Sequence, residues 1–290
     1  MTIEVVEFFQ SLQNGFFDLF FNFISFLGEQ YIYIFIIAVV YYAYDKKLGE
    51  LLSLSLFFAS VLNNVIKGIV SAKRPFEKFP DRVNNLRPST STGHSFPSGH
   101  TQGFATFLYA EAFWTRKKNI FIVATILSVL MAMSRMYLGV HFLEDVLVSI
   151  VLGIISAWLL VKLFNNIKDD DFKLHTIYVT MLIVFLPFLW LLDGADLFKS
   201  YGLLAGFTGA MMFEKQYVKF SLQVSVQKKV IRVVSGLITM LSIQLGLGFI
   251  FDLIANEGTQ LLNILDMIRY GLIAFVGLGV YPLLFKKFNF

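Results

Sequence analysis

The chain has 290 residues, 57% of them hydrophobic and only 15% charged, with a net charge of +4 and a mean hydropathy of +0.69. Soluble domains run at about 45–50% apolar and about 25% charged, so this composition excludes disorder and argues against a soluble globule. There is no cysteine, which also excludes disulfides, thiolate catalysis and Cys-based metal sites.

A hydrocarbon core about 30 Å thick takes roughly 20 apolar residues per helix. The first stretch, 3–27, sets Glu4, Glu7, Gln10, Gln13, Asn14 and Asp18 among phenylalanines. That polar density suits an amphipathic helix lying in the interface better than a span. The stretch also lacks the basic start and small-residue cleavage site of a signal peptide. Nine spans are expected after it, at about 28–45, 48–72, 99–115, 119–138, 142–164, 174–193, 197–213, 229–252 and 261–285. The fold class read from this pattern is an all-α polytopic transmembrane helix bundle with an N-terminal interfacial helix. Gly202, Gly206 and Gly209 lie inside the apolar run 197–213 and read as a helix-packing strip. Asp266 and Arg269, three apart, read as a structural ion pair.

Lys and Arg between the spans set the orientation. One set of connections carries 15 of the 24 basic residues, from Lys46 and Lys47 to Lys286 and Lys287. The opposite set carries Lys199 and Arg269 together with a cluster of seven: Lys67, Lys73, Arg74, Lys78, Arg82, Arg87 and Arg135. The first set is therefore expected to be cytoplasmic, and the cluster of seven to stand on the outer face. Cations on the side that is normally poor in them suggest an anionic ligand. For Lys78, Arg82 and Arg87, solvated loop charges are the plainer reading.

Three patches carry chemistry. At the end of the second span, Lys67 and Arg74 are seven apart, two helical turns, so a continuous helix would put them on one face, with Pro75 ending it. A cation inside a span is expensive and points to function. Leading into the third span is Ser95-Phe96-Pro97-Ser98-Gly99-His100. A Pro-Ser-Gly turn opening a helix offers free N–H groups and a positive dipole end to an anion, and His100 stands there to exchange a proton. The third patch runs Ser134-Arg135 to His141 and Asp145. His141 and Asp145 are four apart, and a carboxylate there would orient the imidazole and stabilise its protonated form. Ser134 could bond a phosphate, or simply cap a turn or bond back to a helix carbonyl. Guanidinium forks suit phosphate oxygens. One imidazole can attack while the other protonates a leaving oxygen. No Asp/Glu/His cage for a divalent metal is evident, so the residues point to metal-independent phosphoryl transfer through a phosphohistidine.

Lys67 to Arg74-Pro75, Pro97-Ser98-Gly99-His100, and Ser134-Arg135 to His141 and Asp145 resemble the three motifs of the type 2 phosphatidic acid phosphatase (PAP2) superfamily in residue type, order and spacing. The resemblance covers roughly residues 28–165. It implies a nucleophile at His141 with Asp145 as its partner, and a general acid at His100. It also implies that Lys67, Arg74, Arg135, Ser98 and the Gly99 backbone hold the phosphate.

The expected division is an interfacial helix over 1–27, a PAP2-like catalytic core over 28–165 and further membrane helices over 166–290. The expected activity is a membrane phosphatase acting on a phosphomonoester or pyrophosphate at the non-cytoplasmic face. The expected substrate is a lipid of the phosphatidic acid, phosphatidylglycerol phosphate or polyprenyl pyrophosphate class. A glucose-6-phosphatase-like sugar-phosphate phosphatase, a lipid phosphotransferase and a transporter or scaffold on the same core are the alternatives. No cofactor, metal or nucleic acid is expected. Membrane lipids are the surrounding partners, a bacterial inner membrane is the expected location, and the sequence leaves the oligomeric state open.

Overall fold

The computed structural model describes residues 3–288 and 290. It is helical throughout, with no strand among the described residues. The helices run α1 (Ile3–Ser11), α2 (Gly15–Phe26), α3 (Gln30–Val39, continued by a π-helical turn Val40–Tyr44), α4 (Lys46–Val70), α5 (Pro75–Lys78), α6 (Gly99–Thr115) and α7 (Lys118–Tyr137). They continue with α8 (Leu143–Ile167), α9 (Asp171–Phe185), α10 (Phe188–Leu191), α11 (Ala195–Phe213), α12 (Val226–Ile254), α13 (Gln260–Phe275) and α14 (Leu283–Lys287).

Every expected span coincides with helix, but length and composition do not confirm a count of nine. Among the described residues, six helices are long and apolar enough to cross a membrane by length and composition. They become seven if Gly15–Phe26 and Gln30–Tyr44, which meet at 53°, form one bent span. The reason is length and charge. Helix α6 has 17 residues, about 26 Å at 1.5 Å per residue, and α11 carries Asp196 and Lys199 near its start.

Two compact units share the chain. The first is Met1–Tyr33 with Leu62–Val161, and the second is Ile34–Val61 with Lys162–Phe290. In the first unit, Asn14 separates α1 from α2 because its Oδ1 accepts the N–H groups of Phe16 and Phe17, both at 3.0 Å, which begins a new helix. Both helices pack on α7. Phe21 lies on Tyr137 with ring centroids 4.5 Å apart, and Ile3 and Val6 are buried against Val83 and Phe142. Glu4, Gln13 and Asn14 are exposed, while other polar residues of this stretch bond within the unit. Gln10 donates to the Asn84 carbonyl at 2.7 Å and accepts from the Asn84 N–H at 3.0 Å. Asp18 accepts from the Tyr137 hydroxyl at 2.6 Å, and Glu7 takes both N–H groups of an Arg82 fork. Gly139, at φ +73°, turns the chain from α7 towards α8, and a Cβ there would lie 2.2 Å from the Asn84 carbonyl oxygen.

In the second unit the glycine strip of α11 lies against α13. A Cβ on Gly202 would stand 2.1 Å from the Met267 carbonyl oxygen, and one on Gly206 would stand 2.0 Å from that of Gly271. Close backbone approach is what small residues give membrane helices. Gly206→Leu should therefore force α11 and α13 apart and cost more than the about 1–3 kcal/mol usual for overpacking. Gly209→Ala meets only the Phe275 ring, at 3.2 Å, and should be tolerated. Thermal unfolding in detergent checks the pair, and equal Tm values for the two variants would contradict the packing account.

The Asp266–Arg269 ion pair is present at 2.6 Å. A buried polar cluster joins Lys46 to Glu214 at 2.5 Å, Lys215 to Glu50 at 3.0 Å and the Tyr178 hydroxyl to Glu50 at 2.8 Å. Helix α12 presents Val230, Val234, Ile238, Leu245 and Phe249 outward, the side chains that lipid rather than water would cover. The protein is a multi-pass membrane protein.

Candidate active site

All the candidate residues named by the three motifs fall in the first unit. The first motif is not carried by one helix. Helix α4 stops at Val70, Ser71 turns left-handed at φ +50°, and Arg74 is extended at φ −76°, ψ 161°. The expected two-turn spacing of Lys67 and Arg74 on one face is thereby corrected. Pro75 forces its predecessor out of the helical region, so the break comes before Arg74, and Pro75 opens α5 instead of closing α4. Lys67 is thus in the last turn of α4. Its ammonium donates to the His94 carbonyl and reaches that of Ser95 at 3.5 Å, which ties α4 to the loop entering α6.

Arg74 is buried, with Nε on the Gly93 carbonyl at 2.9 Å, Nη2 on that of Thr92 at 2.6 Å and Nη1 on that of Val140 at 2.9 Å. Nη1 also lies 3.2 Å from His141 Nε2. A guanidinium only donates, so Nε2 accepts and the imidazole hydrogen sits on Nδ1. That nitrogen is 3.4 Å from Asp145 Oδ2. The same carboxylate oxygen accepts the Phe142 N–H at 2.9 Å and the Ser95 hydroxyl at 2.6 Å. His141 precedes α8 rather than lying on it, yet the pair still meets, because Asp145 folds back onto the backbone that leads into the helix. Burial first, then the Arg74 and Lys67 charges, hold the His141 imidazole well below its ordinary value.

Ser98 caps α6, its Oγ accepting from the Thr101 N–H at 3.4 Å. Its own N–H reaches the Asp145 carbonyl at 3.4 Å, so the caps of α6 and α8 are tied together. Gly99 and His100 form the first turn of α6. Asn63 braces that turn from α4, donating to Gln102 Oε1 at 2.8 Å and to the Pro97 carbonyl at 3.4 Å. Arg135 is fully buried near the end of α7, with Nη1 on Ser25 Oγ at 2.6 Å. Its Nε and Nη2, and His100 Nε2, are buried with no hydrogen-bond partner among the described residues. A guanidinium held this way in a protein interior suits an anion.

Several residues play parts that the sequence did not assign. The Ser134 Oγ donates to the Phe21 carbonyl at 2.7 Å, which joins α7 to α2. Arg82 is a solvent-exposed loop charge paired with Glu7, whereas Arg87 is largely buried and pairs with Glu29 and Asn22. Ser95 and Ser25, which no motif singled out, hold Asp145 and Arg135. For Ser95 the available signal was its place beside Pro-Ser-Gly-His. For Ser25, 110 residues from Arg135, there was none.

A PAP2 superfamily model matches residues 50–169, and one for a PAP2 superfamily phosphatase, transmembrane extension, matches residues 198–290. An undecaprenyl-diphosphatase of Sulfolobus acidocaldarius is 32% identical over 146 residues, 49% of this chain and 68% of that protein. Phosphatidylglycerophosphatase B of Bacillus subtilis is 34% identical over 143 residues, 46% of this chain and 66% of that protein. Among solved structures, Aquifex aeolicus LpxE is 28% identical, with a TM-score of 0.49 over 55% of this chain and 93% of that one. Matched on its three-motif segment and again on its last helices, and sharing 32% identity with a relative it covers by more than two thirds, the chain belongs to the PAP2 superfamily of membrane phosphatases.

Proposed function

We propose that this chain hydrolyses a phosphorylated lipid through a phosphohistidine at His141, without a metal, on the non-cytoplasmic face of a bacterial inner membrane. The carrying observation is the donor set. Arg74 touches His141 Nε2, and the unpartnered Nε and Nη2 of Arg135 lie buried in the same unit. Cationic and N–H donors of this kind bind the oxygens of a transferring phosphoryl group. In this reading His141 attacks phosphorus, and Asp145 orients the ring and stabilises its positive charge. His100 protonates the leaving oxygen and then activates water. Lys67, Arg74, Arg135, Ser98 and the Gly99 N–H hold the phosphoryl oxygens. Residues 28–165 form the catalytic core, 1–27 an interfacial element packed on it and 166–290 the additional membrane helices. The outer-face assignment rests on the 15 basic residues of the opposite connections.

The lipid reading draws support from two relatives, whose names give undecaprenyl diphosphate and phosphatidylglycerophosphate as their substrates. The test is phosphate release by the purified protein, with EDTA present, from phosphatidic acid, phosphatidylglycerol phosphate, a polyprenyl diphosphate and glucose 6-phosphate. Turnover of at least one lipid, at a kcat/KM at least about 10²-fold above that for the sugar phosphate, is expected. Turnover of glucose 6-phosphate alone would overturn the lipid assignment.

A further inference from the structure

We infer that Arg87 is a specificity-determining residue that holds the leaving phosphate of a lipid diphosphate. The inference rests on the reading above, in which His141 attacks and His100 protonates the leaving group.

Arg87 stands on the loop between α5 and α6 and is largely buried, its side chain 19% exposed. Its Nη1 donates to Asn22 Oδ1 at 2.7 Å and its Nη2 to Glu29 Oε1. Its Nε is buried with no hydrogen-bond partner among the described residues. Glu29 directly follows Gly28, and a Cβ on Gly28 would lie 3.3 Å from His100 Cδ2. The Arg87–Glu29 pair therefore involves the turn that abuts the imidazole of His100. The transferred phosphoryl group already has Lys67, Arg74 and Arg135. Arg87, tied through Glu29 to the turn against His100, is the remaining buried guanidinium of this unit not assigned to that group, and we place it on the leaving-group side.

What leaves differs between substrate classes. As His141 Nε2 bonds to phosphorus, the bond from phosphorus to the bridging oxygen breaks. Its electron pair stays on that oxygen, which takes the proton of His100. From a phosphomonoester the product is a neutral alcohol, with nothing beyond the bridging oxygen for a cation to hold. From a diphosphate it is a lipid monophosphate, whose anionic oxygens extend past His100. Water then attacks the phosphohistidine, the P–N bond breaks, His100 recovers a proton and inorganic phosphate departs. Arg87 has a task in the first step only when the leaving group is itself a phosphate, where a fork of N–H donors is worth most.

The test uses the full-length protein in detergent with farnesyl diphosphate and farnesyl monophosphate, which share one tail so that tail binding cancels. Arg87→Gln should lower kcat/KM for the diphosphate by about 10- to 100-fold and that for the monophosphate by less than about threefold. Glu29→Gln releases Arg87 from its ion pair without removing it, and should keep or raise diphosphate turnover. Arg87→Lys, which retains a charge without the fork, should fall between wild type and Arg87→Gln on the diphosphate alone, and it serves if Arg87→Gln does not fold. Equal losses on both substrates would overturn the inference, as would a loss in Glu29→Gln matching that in Arg87→Gln, since the pair would then be a brace between α2 and the loop. Failure of the underlying reading looks different: wild type would cleave neither substrate, or His141→Ala would cleave both.

Discussion

His141→Ala should lower phosphate release by about 10⁴-fold or more, the scale seen when a nucleophile working within a catalytic group is removed, and should abolish a covalent phosphoenzyme. The expectation follows from the state of the ring. Arg74 donates to Nε2, so the lone pair of that nitrogen points at the group that would hold the phosphoryl oxygens. Burial and the cations of Arg74 and Lys67 keep the ring neutral at neutral pH, and only a neutral imidazole can attack. The same cations that keep it neutral would hold the substrate's anionic oxygens, so the substrate's own charge compensates them on binding. Rapid acid-free quenching after mixing with ³²P-labelled substrate should capture an acid-labile, alkali-stable label on the wild type and none on His141→Ala. His100→Ala should slow both formation and hydrolysis of that label while leaving its site unchanged. A label that survives in His141→Ala, or activity within tenfold of wild type, would remove His141 from the nucleophile's role.

The fold class was legible because the solvent writes itself into composition: 57% apolar residues in runs of about 20 leave few options besides membrane helices. The candidate site was legible as a set of names, because its members lie in three short segments whose spacing can be read directly. Its geometry was not. Helix α4 was expected to carry Arg74, but it ends at Val70, where Ser71 turns left-handed, and Pro75 holds Arg74 extended. The N-terminal stretch was read by polar density, which does not reveal that Glu7, Gln10, Asp18 and Asn22 reach Arg82, Asn84, Tyr137 and Arg87. A hydrogen bond between residues more than 60 positions apart leaves no periodic trace, so a tie point and a wet surface look alike in one sequence. Ser134 and Ser25 were obscure for the same reason: each meets its partner across more than 100 residues.

Asp145→Asn should cost about 10²- to 10³-fold in kcat, less than loss of the nucleophile, and the geometry says why. Oδ2 accepts the Phe142 N–H and the Ser95 hydroxyl. The first of these is a fixed backbone donor that the amide NH₂ cannot face. An asparagine must therefore turn its carbonyl oxygen to the Oδ2 position, which is also the position 3.4 Å from His141 Nδ1. The imidazole keeps its tautomer, with Nε2 bare. In a catalytic triad, an Asp→Asn change that reverses the tautomer costs about 10⁴-fold, and that part of the penalty should be spared here. What is lost is the negative charge facing the ring when phosphorylation makes it cationic, so formation of the phosphoenzyme should slow more than substrate binding weakens. The NH₂ group would occupy the place of Oδ1, which is buried without a partner among the described residues, and should add a modest fall in Tm. Ser95→Ala keeps the charge and removes one hydrogen bond to it, so its loss should stay near tenfold. Single-turnover labelling separates the cases. Asp145→Asn should lower the labelling rate with little change in KM, and Asp145→Glu, which keeps the charge, should still fall short of wild type because the longer chain displaces the Phe142 cap. A loss of 10⁴-fold or more in Asp145→Asn would mean that the ring has turned over, and that the Phe142 N–H does not hold the amide as argued.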